Sequence, residues 1–187
     1  RETALVVVGH EPVPLAAGAA LPVADPDGDP EDGMTRLLAV DPGTRVTGWA
    51  VFVDARLVER GCWRADGLYE MLSEILLPRD KSFTRTIIER PQVYAQRKWR
   101  GDPNDLIGVA LVAGAVAALF PPADFVLPHS WKGSAPKDVV EKRVREALAP
   151  DELKLVAGVK KHDIWDAIGI GLWSVERLNE RKASQSA

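Results

Sequence analysis

The chain predicts an α/β layered domain built on a mixed sheet, and three observations carry that expectation. Three strand-like runs follow one another within residues 37–63, helical and strand patterns alternate after them, and the first and fourth strands both end in a carboxylate. With 187 residues, 46% of them apolar, the chain can bury one substantial core, which favours a single domain.

Leu37-Leu38-Ala39-Val40 is a short apolar run without helical period, so it reads as a buried strand that ends at Asp41. Pro42-Gly43 supplies the preset φ and the positive φ of a turn, and a second apolar run follows to Phe52. Val53-Asp54-Ala55-Arg56 is a tight turn into a third strand over Ala55 to Trp63, completing a meander. Between Asp66 and Leu76 the apolar positions 68, 71/72 and 75/76 form a helical stripe, limited by Pro78. Thr84 to Ile88 is a β-branched fourth strand that ends at Glu89, and Pro91 stops any simple continuation.

Asp102-Pro103-Asn104-Asp105 is a helix start, with Asp at the N-cap, Pro at N1 and an acid at N3. Capping accounts for Asp102 and Asp105 without any further role. The helix runs to Leu119, and Gly108, Ala110, Ala113, Gly114 and Ala117 permit close packing on a sheet or on a second subunit. Pro121-Pro122 ends it, Asp124 to Leu127 reads as a short fifth strand, Lys137 to Leu148 is an amphipathic helix, and a last helix runs from about His162 to Glu180.

The flanks differ from this core. Residues 1–33 carry seven acids against one base and are dense in Pro, Gly and Ala, which reads as a disordered acidic leader. Met34 follows directly, so a natural start there is as consistent as a functional tail. The domain is expected over 34–180, with 181–187 a disordered tail. The whole chain is −3, but residues 34–187 hold 23 bases and 20 acids, a balance that neither demands nor excludes nucleic acid. Cys62 is the only cysteine, so no intramolecular disulfide can form and a reducing compartment is expected. The longest apolar run, Leu106 to Phe120, falls short of the ~20 residues that span a bilayer. The expectation is a soluble, cytoplasmic protein without a membrane partner.

A carboxylate at the end of a buried strand loses several kcal/mol of hydration unless donors, a base or a metal ion compensate. An Asp there more often opens an Asx-turn, so the weight of Asp41 depends on partners elsewhere. Asp163 and Asp166 are the candidate partners: three residues apart on a helix, they project from one face. Acids in a first turn also answer the helix dipole, for under about 1 kcal/mol each. Yet Ala167, Gly169, Ile170 and Gly171 make the helix apolar and small-faced, so it is expected to lie buried on the sheet, with its acids near those that end strands one and four.

The chain resembles the RuvC-type Holliday-junction resolvases of the RNase H-like superfamily, particularly their phage-type relatives, over nearly all of 36–175. The resemblance rests on Leu38-Ala39-Val40-Asp41-Pro42-Gly43-Thr44 with Thr47-Gly48-Trp49-Ala50, on Ile87-Ile88-Glu89 with Pro91-Gln92-Val93-Tyr94, and on Gly101-Asp102-Pro103-Asn104-Asp105-Leu106. Trp131-Lys132-Gly133 with Pro136-Lys137, and His162-Asp163 with Trp165-Asp166-Ala167, complete it. It implies a five-stranded mixed sheet, three antiparallel strands then two parallel, flanked by helices, with Asp41, Glu89, Asp163 and Asp166 as catalytic, metal-binding acids. Two Mg²⁺ ions, replaceable by Mn²⁺, would hydrolyse a phosphodiester, because hard oxygen ligands can hold such ions about 3.5–4 Å apart. Asp41, fixed on a central strand, is then the expected bridging ligand. His162 is a ligand, a proton carrier or a cap, with the cap as the default.

Tyr94-Ala95-Gln96-Arg97-Lys98-Trp99-Arg100 places three bases and two aromatics just beyond Glu89. A basic loop is usually only a solvated surface, but aromatic interleaving fits phosphate neutralisation with base stacking, each stack worth roughly 1–3 kcal/mol. By the same resemblance Tyr94 takes the place of an aromatic associated with opening the junction, and Lys132 and Lys137 that of basic residues near the scissile phosphate. Lys160 and Lys161 add a second basic cluster. Trp131, Trp165 and Trp173 read as core or interface residues. The implied substrate is branched DNA, the four-way junction above all, and the implied assembly a homodimer, since paired cuts on strands of like polarity need two sites about a two-fold axis. The rivals are a non-catalytic junction-binding module, a nuclease of the same fold acting on RNA, and an actin-like ATP-binding relative.

Overall fold

The computed structural model describes residues 33–76, 82–93 and 102–178. Five strands, β1 (Arg36–Asp41), β2 (Val46–Val53), β3 (Arg56–Arg64), β4 (Arg85–Glu89) and β5 (Ala123–Val126), form one sheet in the order β3-β2-β1-β4-β5. β1 to β3 are antiparallel neighbours, whereas β4 pairs parallel with both β1 and β5. The helices are α1 (Leu68–Leu76), α2 (Pro103–Leu119), α3 (Pro128–Lys132), α4 (Lys137–Ala147), α5 (Pro150–Leu155) and α6 (His162–Ser174). None of the described helices is long and apolar enough to cross a membrane.

Strand parity decides what faces what, because successive side chains point to opposite sides of a sheet. Leu37 and Ala39 of β1 and Ile87 of β4 join a core that includes Val140 and Val144 of α4 and Ile164, Ile168 and Leu172 of α6. Leu38, Val40 and Ile88 join the opposite core, with Met71 and Ile75 of α1 and Val112 and Val116 of α2. Continued by one step, the first alternation carries Asp41 and Glu89 to the α6 side, at the same end of two neighbouring parallel strands.

The turns differ from their sequence reading in instructive ways. Gly43 is not left-handed; a Cβ there would lie 2.3 Å from the Val46 carbonyl oxygen, so close approach rather than positive φ requires the glycine. The turn is held by Thr47, wholly buried, whose hydroxyl accepts from the Gly43 amide at 3.1 Å and donates to the Gly43 carbonyl at 2.8 Å. Positive φ occurs instead between β2 and β3, at Asp54 (46°) and Ala55 (64°), the pattern of a two-residue hairpin loop. Ala55 bears the steric penalty of that region. Ala55→Gly is expected to stabilise the protein by about 0.5–1 kcal/mol, read as a higher melting temperature.

α3 and α5 were not expected, because five and six residues are too few to show a period, although each begins with proline at N1. α6 ends at Ser174, not near Glu180. Glu176 turns the chain at φ 64°, its amide donating to the Trp173 carbonyl and that of Leu178 to the Leu172 carbonyl. The reversal lets Arg177 return to the core, where it meets Glu152. The Asp102 carboxylate caps α2 by accepting from the Asn104 amide at 2.9 Å, with Pro103 at N1.

Candidate active site

At the carboxyl ends of β1 and β4, a β2 glycine sets how near α6 can come. Gly48 pairs with Asp41, and a Cβ on it would lie 2.0 Å from the Asp163 carbonyl oxygen. The first turn of α6 therefore rests directly on the β2 backbone, next to the strand that ends in Asp41. Asp166, only 8% exposed, faces the sheet from the next turn, while Asp163 is half-buried.

Lys132, at the end of α3, enters from the β5 side. Its ammonium is 3.0 Å from Glu89 Oε2 and 3.2 Å from Asp166 Oδ2, joining the two acids. Its neighbour Trp131 is 5% exposed and donates its indole N–H to Glu89 Oε2 at 2.7 Å. The Lys132 ammonium also lies 4.8 Å over the Trp131 ring. Gly169 of α6 makes room for that ring, since a Cβ there would lie 2.5 Å from it. His162 Nε2 stands 3.9 Å from Asp166 Oδ1, beyond hydrogen-bond range, and both atoms are buried without a hydrogen-bond partner.

The electrostatics follow from the crowding. Burial, then the charges of Glu89 and Asp166, push the Asp41 carboxyl well above its ordinary range; Lys132 opposes this and Asp163 adds to it. Glu89 is also raised, by burial first, against the lowering influence of the Lys132 ammonium and the Trp131 hydrogen bond. Burial would lower Lys132, but Glu89 and Asp166 outweigh it and hold its pKa above the usual lysine value. Four acids stand against one ammonium here, an acid-rich cluster that favours a cation.

The donors fit a hard divalent ion in kind: carboxylate oxygens, one of them on Asp166 buried and unpartnered. Their present placement is that of a lysine-filled site. Among the described residues no three His, Cys, Asp or Glu side chains are grouped closely enough to hold a metal ion. A bound cation would require Lys132 to leave its position between Glu89 and Asp166.

The remaining candidates divide by location. Lys137, at the start of α4, and Lys160 and Lys161, before α6, are exposed. Tyr94, Arg97, Lys98, Trp99 and Arg100 lie outside the described residues. Trp165, 1% exposed, is a core residue whose ring carries the Arg145 guanidinium at 4.2 Å. Trp131 is equally a core residue, but its bond to Glu89 went unread; nothing in a sequence shows which acid an indole will meet across 42 positions.

No protein-family model and no curated protein matches the chain. Among solved structures, RuvC of T. thermophilus in complex with Holliday junction substrate superposes with a TM-score of 0.55 at 17% identity, over 79% of this chain and 96% of that one. The fold is that of RuvC. A Thermus thermophilus RuvC structure gives a TM-score of 0.50 at 19% identity, over 80% and 97% of the two chains. The yeast mitochondrial Holliday junction resolvase Ydc2 gives a TM-score of 0.46 at 15% identity, over 81% of this chain and 86% of that one. The sheet order and the mixture of antiparallel and parallel pairing described above are the RNase H-like architecture expected of a RuvC-like chain.

Proposed function

We propose that this protein is a divalent-metal-dependent endonuclease that nicks branched DNA, four-way junctions foremost, as a homodimer. The observation that carries the reading is the gathering of Glu89, Asp166 and Lys132 around the end of β1 that bears Asp41, on a RuvC fold. Asp41, Glu89, Asp163 and Asp166 would hold Mg²⁺ or Mn²⁺. Bound there, two such ions would activate the attacking water and stabilise the leaving 3′-oxygen. Lys132 neutralises the acids while no substrate is present; drawn off them, its ammonium contacts the scissile phosphate. His162 stands beside Asp166, placed to be a ligand or a proton carrier. Tyr94, Arg97, Lys98, Trp99 and Arg100 neutralise and stack on the junction arms, with Lys137, Lys160 and Lys161 on flanking phosphates.

The dimer is assigned to α2. Ile107 is 61% and Leu111 52% exposed, and with Gly114 and Ala118 they follow one another at alternating steps of four and three, a seam for a second helix. Leu111→Glu is expected to weaken self-association about a hundredfold, the ~3 kcal/mol cost of a carboxylate in an apolar contact, measured by sedimentation.

The test of the function is incubation of a synthetic four-way junction with Mg²⁺. Paired nicks in strands of like polarity are expected, with a linear duplex of the same sequence uncut and chelation abolishing the reaction. The rival reading, a junction-binding module without catalysis, takes its support from Lys132 standing among the acids; tight junction binding with no cutting in either Mg²⁺ or Mn²⁺ would decide for it.

A further inference from the structure

Within the acid cluster, Glu89 is tied by a neutral indole donor as well as by the lysine. One of its oxygens, Oε2, takes the Trp131 indole N–H at 2.7 Å, and the indole is itself wedged against α6 at Gly169. Trp131 sits on α3, begun by Pro128, and its bond to Glu89 runs directly from the indole N–H, not through the Lys132 ammonium that lies 4.8 Å over its ring. The Glu89 carboxylate therefore keeps its orientation, through Trp131, even when the ammonium leaves. We propose that Trp131 is a positioning residue: its N–H occupies Oε2 and fixes the Glu89 carboxylate, so that Oε1 is presented to the cation. The inference rests on the metal-dependent reading above and names the residue that prepares the site for it.

The physical basis is that of hydrogen-bond partners behind metal ligands, whose loss typically lowers metal affinity 10–100-fold. An indole is suited to the task because it has one donor, no acceptor and a rigid frame, so it cannot compete for the ion. Two variants separate the hydrogen bond from the packing. Trp131→Phe keeps an aromatic ring against Gly169 and removes the N–H. Gly169→Ala leaves Trp131 intact but drives a methyl into its ring, without touching an acid.

The experiment is Mn²⁺ binding to the full chain by calorimetry in the absence of DNA, with junction cutting measured across Mg²⁺ concentrations. Both variants are expected to bind Mn²⁺ at least about tenfold more weakly and to need correspondingly more Mg²⁺, with excess Mg²⁺ recovering most of the cutting. Metal-free junction binding is expected to stay at the wild-type level, which a general loss of structure would not allow. Wild-type Mn²⁺ affinity in Trp131→Phe overturns the proposal. Should either variant fail to fold, the indole N–H resonance of Trp131 in the wild type, identified by its change in Glu89→Gln, must shift as Mg²⁺ is titrated over the concentrations that support cutting; an unmoved resonance overturns it equally. A wild type that binds no divalent ion would instead sink the metal-dependent reading itself, so the two failures are distinguishable.

Discussion

Asp41→Asn is expected to abolish junction cutting, by about a thousandfold or more, while leaving junction binding intact and making the metal-free protein more stable. The loss corresponds to ~4 kcal/mol of transition-state stabilisation, the scale on which a bound cation acts at a phosphoryl oxygen. The gain has a separate cause. Asp41 is pushed well above its ordinary pKa by burial and by Glu89 and Asp166, so its ionised form opposes folding. A carboxyl raised in the folded state binds more protons folded than unfolded, so its contribution falls as pH rises from the ordinary carboxylate range through the higher folded pKa. In chelator, the melting temperature of the wild type should therefore lose ground to that of Asp41→Asn as pH rises above about 4. Added Mg²⁺ should close that gap for the wild type alone. Equal cutting by the two proteins would leave Asp41 without a catalytic role; equal pH dependence would mean that the acids do not crowd it.

How far the sequence carried this site can be judged residue by residue. β1 with Asp41 and β4 with Glu89 were legible because a buried strand admits few polar residues, so a carboxylate at its end stands out. The buried face of α6 was legible from its small and apolar residues. The residues that shape the site were not. Gly48 and Gly169 are needed because another element presses on them, Asp163 in one case and Trp131 in the other, and that pressure exists only in the fold. Gly43 was read correctly as part of a turn but for the wrong reason, since a crowded carbonyl and a positive φ both favour glycine. α3, which delivers Trp131 and Lys132, was too short for periodicity to show. The end of α6 was hidden by Glu176, a residue that rarely takes the left-handed turn.

That turn leads to the second large effect, a loss of stability with no acid of the site involved. Glu152→Ala is expected to destabilise the protein by about 3–5 kcal/mol, lowering the melting temperature by roughly 10 °C or more. The Glu152 side chain is 1% exposed and receives four hydrogen bonds: the Leu57 and Ala149 amides, each at 2.7 Å, and both terminal nitrogens of Arg177, at 2.6 and 2.7 Å. Arg177 in turn donates to the Ala55 and Ala147 carbonyls, both at 2.8 Å. One ion pair thus joins the β2–β3 hairpin, the end of α4, the start of α5 and the chain beyond α6. Removing the carboxylate leaves a partly buried guanidinium without its counter-charge and two amides without their acceptor, which costs more than the pair contributed. Burial by itself would raise the pKa of Glu152, but the Arg177 bonds and the two amides outweigh it and hold the carboxyl below its ordinary range. A depressed carboxyl stabilises above its unfolded pKa and loses that contribution as pH falls through the folded one. Wild-type stability should therefore drop as pH falls below about 4.5, and the Glu152→Ala melting curve should lack that part of the acid limb. Junction cutting by Glu152→Ala, measured well below its melting temperature, is expected near the wild-type rate, because the backbone groups that the pair bonds, those of Ala55, Leu57, Ala147 and Ala149, lie away from the acid cluster.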